Sequence, residues 1–202
     1  MKLRSVLLLA GLAMAGVTQA QTVYTVTGAN LNTFDATAPA VAFATVPITG
    51  LTAGDIIVGL DRRPANNALV LVVDGLANDR LYTLNATSGQ ATLLSTLAAD
   101  AADLTAPFTA LTGTSFGTDF NPVPDRLRVV SDTGQNLRIN VDSGAVTTDG
   151  ALNGATASIQ GAAYTNSFPG GGGSTTLYGI NGATDTLYTQ NPPNDGTLVV
   201  TG

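Results

Sequence analysis

Cysteine, histidine, tryptophan and glutamate are missing from this 202-residue chain, and lysine occurs only at Lys2. Each absence removes a class of chemistry. Without cysteine there is no disulfide and no lipid attachment through a thiol, so packing alone must hold the fold. Without histidine or cysteine a Ser-His-Asp triad, a Cys-His pair and the usual zinc or copper ligand sets cannot be assembled. What remains for chemistry is aspartate, arginine, tyrosine, serine and threonine, which restricts conventional options to carboxylate catalysis or oxygen-ligated ions such as calcium. Fourteen acids, all Asp, face seven arginines and the single lysine. Asp without Glu is a turn-former's composition, because Asp bonds its own backbone in loops whereas Glu favours helix interiors.

Long hydrophobic runs are scarce as well. The apolar stretch Val6–Val17 follows the basic residues Lys2 and Arg4, and Thr18 and Ala20 occupy the minus-three and minus-one positions before Gln21. This is the pattern of a secretory signal peptide over residues 1–20. No other stretch approaches the roughly 18 apolar residues of a membrane helix, so no transmembrane span is expected in the mature chain. Residues 21–202 form one expected domain, with a net charge of −8 that disfavours nucleic acid and anionic membrane surfaces.

What the chain does contain is an internal repeat. NLNTFDATAPAVA, RLYTLNATSGQAT, NLRINVDSGAVT and TLYTQNPPNDGTLV place Leu31, Leu81, Leu137 and Leu187 at separations of 50, 56 and 50 residues. Upstream of each lies a second short strand: VYTVT, LVLVV, LRVVS and TLYGI. Before the last three comes an apolar segment centred on Gly59, Gly117 or Gly161. Four antiparallel strands recurring at this period predict an all-β, β-propeller-like array, with repeats at about 22–50, 51–97, 113–152 and 158–202. A β-sandwich is the competing arrangement. The six extra residues of the middle interval fall in Leu97–Gly113, where Ala98–Leu104 reads as a short surface helix. The first repeat has only its second, third and fourth strands, and the sequence stops at the fourth strand of the last. An incomplete or open ring is therefore expected, its edge covered by a partner or by self-association.

The motifs FGTDFNPVPDRLRVVSDTGQNLRINVDSGAV, AYTN and TLYGINGATDTLYTQNPPNDGTL resemble a family of exported bacterial proteins, domain of unknown function 4394, over essentially Val23–Thr201. The resemblance implies an envelope or extracellular location and a propeller-like fold, with no established activity to carry over. Relatives usually continue into a further glycine-rich repeat.

The candidate binding residues are Asp61, Arg63, Asp119, Asn121, Arg126, Arg128 and Arg138. Asp61 and Asp119 follow equivalent glycines and would meet at one rim of a propeller, where paired acids suit glycoside hydrolysis, but Ala163 stands at the third equivalent place. Arg126, Arg128 and Arg138 fall within thirteen positions. With Asp132–Gln135 as the hairpin turn, Leu127 would face Asn140 and Val129 would face Arg138, leaving neither sheet face cleanly apolar. These arginines are expected between sheets, paired with Asp119, Asp125, Asp132 or Asp142, because buried guanidinium groups require partners; an anion or sugar-acid pocket is the functional alternative. For calcium, NPPNDG and NVDSG offer oxygen ligands without the spacing of an EF-hand. The glycine-rich Ser167–Thr176 lacks the helix and Lys of a phosphate cradle. No cofactor is required, and the expected role is a secreted or cell-envelope, non-catalytic binding or structural module with a surface protein partner. Its alternative is a sugar-, ligand- or calcium-binding protein or carboxylate enzyme at Asp61 and Asp119.

Overall fold

The computed structural model describes residues 22–38, 42–168, 170 and 173–202; residues 1–20, expected to form a signal peptide, and three residues of the glycine-rich loop lie outside them. The first sheet contains β1 (Thr22–Thr27), β2 (Asn30–Asp35) and β3 (Ala42–Pro47). The second contains β4 (Ile56–Arg62), β5 (Leu69–Asp74), β6 (Arg80–Leu84) and β7 (Ala91–Thr96). In the third, β8 (Ala98–Ala99), β9 (Phe116–Asn121), β10 (Arg126–Ser131), β11 (Asn136–Asn140) and β12 (Ala145–Thr148) are ordered β8-β12-β11-β10-β9. The fourth repeats that order as β13-β17-β16-β15-β14, with β13 (Asn153–Gly154), β14 (Gly161–Tyr164), β15 (Leu177–Asn181), β16 (Thr186–Gln190) and β17 (Thr197–Val200). These are the four blades of a β-propeller arrangement. The innermost strands are β4, β9 and β14, and β9 packs against both of the others.

Successive blades are joined by apolar layers. Leu31, Leu71, Val73 and Tyr82 lie between the first and second sheets, and Val72, Leu81, Phe120, Leu127 and Ile139 between the second and third. A smaller cluster of Val130, Leu152, Ile159, Tyr188 and Leu198 joins the third and fourth. Strand β5 is buried through Leu69–Val73 because both of its faces are covered, which explains its unbroken apolar sequence. Among the described residues, no buried apolar cluster joins the fourth sheet to the first.

The connections follow one rule. After its outer strand each sheet sends its exit segment alongside the outer strand of the next, in parallel: Thr49 bridges Gln90, β8 pairs with β12 and β13 pairs with β17. The N–H groups of Thr49, Ala98 and Asn153 donate to the carbonyls of Gly89, Gly144 and Gly196, at 3.0, 3.0 and 2.9 Å. All three glycines are left-handed, with φ of 71°, 75° and 72°, and a side chain on any of them would collide with backbone of the arriving segment. This rule also corrects the helix expected at Ala98–Leu104. Ala98 and Asp100 donate their N–H groups to Gly144 and Val146 instead of to a helical turn, since joining the neighbouring sheet satisfies more backbone than an isolated turn can.

A second correction concerns the hairpin β10-β11. Ser131 N–H donates to the Gln135 carbonyl at 3.1 Å around a loop closed by Gly134 at φ 89°, so the loop holds three residues, not four. The register moves by one: Leu127 faces Ile139, Arg128 faces Arg138 and Val129 faces Leu137. One face then carries Leu127, Val129, Leu137, Ile139 and Val141 and seals against the second sheet. The other carries all three arginines.

Candidate functional site

The inner strands are built to approach one another. A side chain on Gly59 would collide with Thr118, and one on Gly117 with Gly161 and Ala162. Two residues beyond each glycine the carboxylate reaches forward to the next strand. Asp61 Oδ2 accepts the Phe120 N–H at 2.7 Å, and Asp119 Oδ2 accepts the Tyr164 N–H at 2.7 Å. The two carboxyls also hydrogen-bond each other. Burial raises both; Asp119 is pushed up to about 8 by its burial and then by the charge of Asp61, so it carries the shared proton at neutral pH.

The arginines are engaged between blades. Arg63 donates from Nε and Nη2 to Asp125 and from both Nη atoms to Asp142, at 2.6–3.0 Å, linking the second sheet to the third. These bonds raise the Arg63 guanidinium above its ordinary value and hold Asp142 below its own. Arg128, 1% exposed, donates to Asp149 Oδ2 at 2.6 Å, Asn136 Oδ1 at 2.8 Å, Asn194 Oδ1 at 2.8 Å and the Tyr164 hydroxyl at 3.3 Å. Arg138 binds the same Asp149 from the other side, at 2.9 and 3.1 Å. Arg126 donates to the carbonyls of Pro124 and Asp125. Asn121 closes its own turn by accepting the Val123 N–H at 3.0 Å.

The acid expected for Arg126, Arg128 and Arg138 was one of Asp119, Asp125, Asp132 and Asp142; the acid that serves two of them is Asp149. It follows β12, and the one-residue shift of the hairpin brings both guanidinium groups onto the face that Asp149 overlooks. Asn136, Gln190 and Asn194 complete the network, with Gln190 Nε2 donating to Asn136 Oδ1 at 3.2 Å and to the Pro193 carbonyl at 2.6 Å. Their amides carried no signal in isolation. The signal available in sequence was the need of any buried Arg for a carboxylate on an adjoining loop.

Two of the clefts outside this wiring involve the inner strands or the loops that leave them. One, of about 640 Å³, separates β1 from β4 and is lined by Tyr24, Thr25, Val26, Ile57, Gly59 and Leu60 among others. The other, of about 450 Å³, sits where loops leave the inner strands, against Pro64, Pro122, Val123 and Phe168. Among the described residues no group of three or more acids gathers to hold a metal ion, and no helix is long and apolar enough to cross a membrane.

A protein of four antiparallel sheets, closely packed at their inner strands and stapled at their outer ones, falls in the β-propeller class. Within it, the chain belongs to the family described as Domain of unknown function (DUF4394), which it matches over residues 30–202. Comparison with curated proteins finds no match.

Proposed function

We propose that this chain is an exported, non-catalytic binding and structural module of the cell envelope, working as an accessory component of a surface assembly. The observation that carries this reading is the consumption of its reactive groups. Asp61, Asp119, Arg63 and Arg128 spend bonds on neighbouring blades and Arg138 spends its own on Asp149 within its blade, while the surfaces left open are sheet surfaces suited to association. Ile180 and Val199 of the fourth sheet are about half exposed, at 50% and 52%, and β1 is an edge strand. Fractionation of the native cells followed by sizing of the envelope extract tests the reading. The chain is expected in a larger complex of the exported fraction; recovery as a free cytoplasmic monomer refutes it.

A second reading, a sugar-binding site or a calcium site that forms only when the ion displaces the proton, draws on the perturbed, buried carboxyl of Asp119. It requires a melting temperature that rises with calcium or a glycan and ceases to rise in Asp119→Ala. A flat response to both refutes it.

A further inference from the structure

We propose that the 640 Å³ cleft between β1 and β4 is a docking slot for one extended strand of a partner polypeptide, added antiparallel to β1 and carrying glycine and aspartate in a Gly-x-Asp pattern. This deepens the association reading above and rests on it. The other three sheets show what belongs there. Each has an inner strand antiparallel to its second strand: β4 on β5, β9 on β10 and β14 on β15. In the first sheet β1 is the second strand, and among the described residues its other edge has no partner.

Two of the three complete repeats share a register for the occupant: the second sheet runs Leu81, Val72, Gly59 and the fourth runs Leu187, Ile180, Gly161, while in the third the row Leu137, Val129 continues to Thr118 and Gly117 stands one place further, opposite Val130. In the first sheet Leu31 faces Val26, so the incoming glycine belongs opposite Val26. There it would meet Leu60 as Gly59 meets Thr118 and Gly117 meets Ala162, an approach that admits no side chain. Two residues on, an aspartate opposite Tyr24 would reach the N–H of Arg62, as Asp61 reaches Phe120 and Asp119 reaches Tyr164. Main-chain bonds to β1 supply affinity, and these two positions supply selectivity.

The probe is a synthetic peptide with the sequence of residues 114–122, TSFGTDFNP, titrated into the intact protein. Amide hydrogen exchange is expected to slow at residues 22–27 and melting temperature to rise with peptide concentration. The peptide with Gly117→Val is expected to bind about 5- to 150-fold more weakly, since overpacking of one such contact costs about 1–3 kcal/mol. Equal binding of the two peptides, or no protection of β1, overturns the proposal. Protection of β1 without peptide that grows with protein concentration assigns the slot to a second copy and overturns it too. Failure of the peptide alongside a large native complex sinks the slot alone, whereas a free monomer in extracts sinks the association reading.

Discussion

Replacing Arg128 with Ala tests the interblade network at its centre. The side chain is 1% exposed and spans from the third sheet to the fourth through Asp149, Asn136, Asn194 and Tyr164. Removing one partner of a buried pair costs about 3–5 kcal/mol, because the remaining charge is left desolvated. Here Asp149 keeps Arg138, and Asn136 Oδ1 keeps Gln190, so the loss belongs at the lower end, about 3 kcal/mol. For a chain of this size that corresponds to a fall in Tm of roughly 6–12 °C. Urea unfolding followed by circular dichroism measures it, with tyrosine emission as a second probe. Arg138, its side chain 36% exposed, is expected to lose only about 1 kcal/mol alone. The double substitution should lose more than the two single losses combined, because only then is Asp149 abandoned. Additivity, or a loss under about 1 kcal/mol for Arg128→Ala, refutes the claim that Asp149 is held jointly.

Asp119 gives a pH dependence whose sign is set by its folded value of about 8 against an ordinary 3.8. The folded state holds the extra proton between these values, so this group's contribution to stability is complete below about pH 4 and declines as pH rises towards 8. Thermal melts across that range should show a shallower decline in Asp119→Asn than in the unaltered protein. An identical decline would remove Asp119 as its source. Asp61→Ala strands the buried Phe120 N–H and is expected to cost about 1–3 kcal/mol in denaturant titration; no loss would mean the clamp is idle. Gly144→Ala forces a left-handed residue against the Thr96 carbonyl and should cost about 2–3 kcal/mol. Gly173→Ala, with open space around it, should stay within about 0.5 kcal/mol.

The blade count was legible because repetition multiplies weak signals: four leucines at near-constant spacing outweigh the ambiguity of any one short strand. The equivalence of Asp61 and Asp119 was legible for the same reason. Their forward bonds were not, since which backbone N–H lies opposite depends on how closely two glycine-bearing strands approach. The Asp132–Gln135 turn went astray by one residue because three- and four-residue loops share the same composition, and Gly134 decides between them by its conformation. That single residue reversed the partition of Arg138 and Leu137 between faces and, with it, the identity of the acid. Ala98–Leu104 misled in another way. Local helix preference gave way to hydrogen bonds offered by a strand some fifty residues later, which no local window contains.

The glycine-topped turns at Gly89, Gly144 and Gly196 impose a direction on assembly. Each anchors the exit of the sheet made before it, so in the order of synthesis this one fastening of a sheet can close only after its successor has been made. Cutting the chain from its beginning would leave every later anchorage in place. Cutting it from its end would unfasten the last remaining sheet each time, as a zip opens from one side only.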